Sequence, residues 1–120
     1  MQEQFRLYFE AHVPPTVKWE LEVRMSGPGI ITDRKSPAVL AMKSALQTAF
    51  GVEPIFQRVG GGIGAVLMFK NTLGVDSVLT GFSLYDDNFH GPNEKLHLST
   101  WKKGMTALVH FFHNLVEDKK

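Results

Sequence analysis

Residues 36–51, "SPAVLAMKSALQTAFG", read as a helix with both of its ends written into the sequence. The Ser36 hydroxyl can accept from a free N–H of the first turn, and Pro37 suits the first helical position because its φ is already set. Val39, Met42, Leu46 and Ala49/Phe50 recur at helical spacing and make an apolar face. Gly51 can take the left-handed conformation that closes a helix. Working outward, "PIFQR" (54–58) reads as a short strand that enters the glycine loop "VGGGIG" (59–64). "AVLMFKNTLG" (65–74) reads as a short helix ending at Gly74. "DSVLTGF" (76–82) is apolar enough for a buried strand, although periodicity alone leaves a helix open. A last helix is expected over 100–117, with Ser99 as its cap and Trp101, Met105, Leu108, Phe112 and Leu115 as its core face. From residue 36 onward the order is helix, strand, helix, strand, helix. That alternation predicts an α/β fold, with short parallel strands flanked by helices.

The N-terminal part reads differently. Residues 3–11 suit a short amphipathic helix with Phe5, Tyr8 and Phe9 on one side, and Pro14 and Pro15 stop it. "VKWELEV" (17–23) alternates strictly, Val17, Trp19, Leu21 and Val23 against Lys18, Glu20 and Glu22, the pattern of a half-exposed strand. "SGPGIITDRK" (26–35) is a Gly/Pro turn and polar linker, where the one subdomain boundary falls.

Composition bounds the function classes. The chain has 120 residues, 43% hydrophobic and 21% charged, which suits one globular domain with a core. Its net charge of +1 and the lack of basic clusters interleaved with aromatics give no support for a nucleic-acid or anionic-membrane partner. With no cysteine, disulfides and thiolate metal sites are excluded. No stretch reaches the roughly 20 apolar residues of a membrane span, and the first residues lack a signal-peptide pattern. A soluble, cytoplasmic chain is the expectation.

Two stretches could carry chemistry. In "RVGGGIG" (58–64) glycines would let backbone N–H groups approach an anion, and Arg58 could add a bidentate carboxylate contact. The loop is neither a dinucleotide fingerprint, since Ala65 and Leu67 stand where a third glycine is needed, nor a P-loop. Spacing alone leaves open a plain turn between two elements. In "DDNFHGPNEK" (86–95), His90 is an imidazole in an acidic turn. Neighbouring carboxylates could orient it or join it on a metal, yet Asp86, Asp87 and Asn88 also suit plain turn roles. His110 and His113, three apart on the last helix, read as ordinary surface or half-buried histidines. His97 belongs to the approach to that helix, and His12 to a loop before Pro14. No Ser-His-Asp or Cys-His signature is present.

The order "FEAHVPPTVKWELEV", "SPAVLAMKSALQTAFGVEPIFQRVGGGIGAVLMFKNTLGVDSVLTGF", "DDNFHGPNEKLHLSTWKKGMTAL" resembles the C-terminal third of a zinc metallopeptidase. The family includes carnosinase-type dipeptidases, aminoacylases and succinyl-diaminopimelate desuccinylase, and the likeness is greatest to its dipeptidase branch. The resemblance covers nearly the whole chain. It implies that residues 1–25 are a helix-strand remnant of a lid and dimerisation domain, 26–35 a linker, and 36–120 the final segment of an α/β/α catalytic domain. It further implies that His90 is the last zinc ligand and that Arg58 binds the C-terminal carboxylate of a small peptide or amide substrate. Gly61 and Gly62 would supply backbone donors to the same group, and Asn93 and Glu94 would shape the histidine's loop.

Two departures from the family pattern stand out. The usual Gly-Gly-Ser-Ile-Pro is here Gly60-Gly61-Gly62-Ile63-Gly64, without the serine hydroxyl or the proline. The family's His-x-Asp, its bridging aspartate and its Glu-Glu pair, whose first glutamate activates the zinc-bound water, are not in these 120 residues. The expectation is a fragment of the C-terminal part of such an enzyme, inactive alone and at most a weak zinc binder. An alternative is a non-catalytic binding or assembly module that homodimerises by covering the 17–23 strand. A third is an unrelated small α/β domain.

Overall fold

The computed structural model describes residues 1–24, 27–58 and 63–117. Four helices account for the regular structure among these residues: α1 (Gln2–His12), α2 (Pro37–Phe50), α3 (Gly64–Leu73) and α4 (Leu98–Glu117), with one 3-10 turn at Tyr85–Asp87. Each helix answers to local chemistry. At α2 the Ser36 Oγ accepts from Val39 N–H at 3.4 Å and Pro37 fills the first position. Gly51 closes it at φ 76° and donates to the Gln47 carbonyl. Gly74 closes α3 in the same left-handed conformation. At α1, Arg6 bridges Glu3 and Glu10 along an exposed face.

The expected α/β fold is not what forms. Among the described residues there is no strand and no sheet. The segments read as strands, 17–23, 54–58 and 76–82, run outside any helix without a backbone ladder to one another. Val17, Trp19, Leu21 and Val23 stay 37–52% exposed, so the alternation at 17–23 buries neither face. The reason is that helical hydrogen bonds close within a segment, whereas a strand's N–H and C=O groups need a second strand beside it. The overall dimensions agree. The radius of gyration is 19.8 Å over a body of 65 × 37 × 20 Å, against about 14 Å for a compact chain of this length. The accessible surface is 10344 Å², against about 6,500 Å² for a folded monomer of this mass.

What core there is lies between α2 and α4, the one pair of helices packed along their lengths among the described residues. Val39, Ala41, Met42 and Ala45 are buried on α2, with Ala107 fully buried on α4. The Asn114 Nδ2 donates to the Ala41 carbonyl across the seam at 3.2 Å. A Cβ on Gly104 would stand 2.7 Å from the Phe82 ring, which is itself stacked on Phe50. The packed face of α4 is therefore Thr100, Gly104, Ala107, Phe111 and Asn114, not the expected Trp101-Met105-Leu108-Phe112 stripe, which stays exposed. Small residues win the seam because they let two helix backbones approach closely. Helix α4 also begins earlier than expected, at Leu98, with Trp101 N–H donating to the His97 carbonyl at 2.9 Å. Ser99 thus lies inside the first turn and is not the cap.

Residues 27–35 touch the rest of the chain at several points. Gly27 abuts Leu67 of α3, the Thr32 hydroxyl donates to the Ser77 carbonyl at 3.2 Å, and the Arg34 guanidinium lies over the Phe56 ring at 5.7 Å. No helix among the described residues is long and apolar enough to cross a membrane.

Candidate functional site

The loop between Phe82 and α4 is organised around Asp87, the one large side chain that is fully buried among the described residues. Its Oδ2 accepts from Leu84 N–H at 2.6 Å, while Asp87 N–H donates back to the Leu84 carbonyl at 3.1 Å. The Asp87 carbonyl in turn accepts from Lys95 N–H at 2.9 Å and closes the loop. Inside that closure the chain folds back sharply, with Asn88, His90 and Asn93 all at positive φ (55°, 62° and 58°). Asn and His tolerate this region better than most residues, which is why the turn can be built from them. The Asn88 side-chain amide donates to the Pro92 carbonyl, and Gly91 N–H donates to the Asn88 carbonyl at 2.8 Å. A Cβ at Gly91 would stand 2.5 Å from Asn88 Oδ1, so any larger residue there would displace the Asn88 amide.

His90 sits on this turn, exposed, with its ring stacked on Phe89 at 4.0 Å between centroids. The turn holds its backbone in a left-handed conformation and leaves its imidazole at the surface. Arg58 is exposed at the end of the 54–58 segment. Gly61 and Gly62 lie outside the described residues, so the glycine loop itself is not part of the described site.

The structure brings together a different set. Asp86, Asp87 and His97 offer ligand atoms within 4.8 Å of one another, the one such cluster among the described residues, and His90 is not in it. His97 Nε2 lies 3.2 Å from Asp86 Oδ2 and 3.6 Å from Asp87 Oδ1, and Lys95 Nζ lies 3.0 Å from the same Asp86 oxygen. The Lys95 ammonium, and after it His97, hold the Asp86 carboxyl below the usual aspartate range. Sequence reasoning placed His97 only at the approach to α4. Its meeting with Asp86 and Asp87 depends on the 88–95 turn doubling back, which spacing alone does not display.

Comparison with known proteins identifies the scaffold. Residues 1–114 match the model of peptidase family M20/M25/M40. The chain belongs to that family. It is 33% identical over 96 residues to the Cys-Gly metallodipeptidase of Candida albicans, covering 80% of this chain and 20% of the relative. The corresponding enzyme of Saccharomyces cerevisiae is 32% identical over 92 residues, 77% of this chain and 19% of that protein. The human Beta-Ala-His dipeptidase is 32% identical over 78 residues, 65% of this chain and 15% of that protein. The chain thus spans about a fifth or less of the length of the curated relatives it matches. No solved structure matches it. Membership in a family of metallodipeptidases implies a metal cofactor and peptide substrates for the family, in line with the resemblance read from "HGPNEK".

Proposed function

We propose that the chain is the C-terminal part of a zinc-dependent metallopeptidase that hydrolyses dipeptides or related amides, and that it is inactive without the rest of the centre. In this reading residues 1–25 belong to a lid and dimerisation unit, 26–35 to a linker and 36–120 to the catalytic unit. The observation that carries it is the presentation of His90. An exposed imidazole on a turn closed by Asp87 and braced by Asn88 is set to reach a metal held from outside the chain.

Around His90 the described residues do not make a complete centre of this kind. Zinc takes three or four protein ligands, and His90 belongs to no group of three such donors among the described residues. The remaining roles are binding roles: the Arg58 guanidinium takes a substrate carboxylate, and backbone N–H groups at Gly61 and Gly62 donate to the same group. A cytoplasmic location and a homodimer complete the proposal. The test is hydrolysis of Cys-Gly, β-Ala-His and a small dipeptide panel by the purified chain with added zinc, with His90→Ala as control. No turnover above the control supports the reading. Turnover that depends on His90 shows that a centre assembles from this chain alone and overturns it.

One observation favours a second reading, a non-catalytic assembly module. The Val17, Trp19, Leu21 and Val23 side chains are exposed on a segment outside any helix, with no strand beside it among the described residues, a template for pairing with a second copy. Light scattering that gives the monomer mass at every concentration removes that reading.

A further inference from the structure

We propose that Asp86, Asp87 and His97 form a binding site for a divalent transition-metal ion of the zinc type, using none of Arg58, Gly61, Gly62 or His90. The donor spacing supports it. Zinc bonds of about 2.0–2.1 Å in tetrahedral arrangement set neighbouring ligand atoms about 3.3 Å apart. From His97 Nε2 the two carboxylate oxygens lie at 3.2 and 3.6 Å. One imidazole and two carboxylates are a donor set that zinc accepts, and solvent at the exposed Asp86 side completes the coordination.

The second observation is independent of that spacing. Asp87 is buried to 1% of its surface, and its Oδ1 has no hydrogen-bond partner while facing His97 Nε2. A buried carboxylate oxygen without a donor is rare in folded proteins and asks for an ion or a proton. A proton on Nε2 answers Asp86, at 3.2 Å, and leaves Asp87 at 3.6 Å, beyond a normal hydrogen bond. A metal ion between the three atoms answers all of them at once. Lys95 is the built-in competitor, its ammonium 3.0 Å from Asp86 Oδ2 on a half-exposed, flexible stem that can swing into solvent. The same loop closure that sets the His90 turn, Lys95 N–H to the Asp87 carbonyl, brings residues 86–87 and 97 together.

The experiment is calorimetric titration of the 120-residue chain with zinc chloride, with the His97 ring protons followed by NMR in the same titration. One zinc per chain is expected, with the His97 resonances shifting as it binds. His97→Ala and Asp86→Asn, both at accessible positions, should weaken binding at least tenfold with helix content unchanged by circular dichroism. Lys95→Gln should tighten it several-fold by removing the competing cation, and His90→Ala should leave it within twofold. Absence of binding up to millimolar zinc overturns the proposal. So does binding that survives His97→Ala, or that is lost in His90→Ala, since either places the ion elsewhere. The assignment of His90 in the complete enzyme does not depend on the result.

Discussion

Replacing Asp87 by alanine should open the 84–97 loop locally while leaving the α2–α4 seam intact. The carboxylate makes one charge-assisted bond, Oδ2 to Leu84 N–H at 2.6 Å, in a fully buried position. Such bonds contribute about 1.5–3 kcal/mol. Against that, the substitution also removes Oδ1, a buried oxygen with no partner, which returns part of the loss. The balance is a local destabilisation of about 1.5 kcal/mol, equivalent to a roughly tenfold larger population of the open loop. Native-state hydrogen exchange reads this directly at the amides of Leu84 and Lys95, which bond the Asp87 side chain and carbonyl respectively. Asp87→Asn keeps an acceptor for Leu84 and should change exchange there by no more than about threefold, since only the charge assistance is lost. Unchanged exchange at Leu84 in Asp87→Ala refutes the anchoring role. Equal loss of protection at the α2 amides also refutes it, because the effect would then be global.

Two further predictions concern the helices. Gly104→Ala gains about 0.8–1 kcal/mol of helix propensity but drives a methyl to within 2.7 Å of the Phe82 ring, an overpacking cost of about 1–3 kcal/mol. Urea denaturation should therefore show net destabilisation of about 1 kcal/mol, and in a Phe82→Ala background the same substitution should become stabilising. From the middle of α2, Lys43 Nζ lies 2.7 Å from Glu53, beyond the helix end, and holds that carboxyl below the usual glutamate range. A depressed folded-state value means the pair's contribution is present above the ordinary glutamate value, about 4.3, and is lost as the pH falls through the depressed one. Carboxyl carbon NMR should show Glu53 titrating below its usual midpoint, and Lys43→Ala should move it back up.

What the sequence disclosed and what it hid divide along one physical line. The helices were legible because their determinants are local. Ser36, Pro37 and Gly51 bracket α2, Gly74 ends α3, and the prolines after His12 end α1. The sheet was inferred from alternation and from the order of segments, and it does not form among the described residues, because pairing is decided by a neighbour and not by the segment itself. On α4 the heavy Trp101-Met105-Leu108-Phe112 stripe drew the eye, whereas contact runs through Gly104 and Ala107, whose signal is only their smallness. The "HGPNEK" turn was legible as a motif through family likeness, and the family assignment agrees with it. The cluster of Asp86, Asp87 and His97 was not legible, since the nine residues 88–96, with three left-handed positions, separate its members.

The central claim is that this chain contributes His90 to a metal centre completed by residues outside it. The most direct test replaces the matching fifth of the Candida albicans Cys-Gly metallodipeptidase with this chain and measures Cys-Gly hydrolysis with zinc present. The account predicts turnover by the chimera, loss of at least a hundredfold with His90→Ala, and retention with His97→Ala. A folded chimera whose turnover is unchanged by His90→Ala would contradict it.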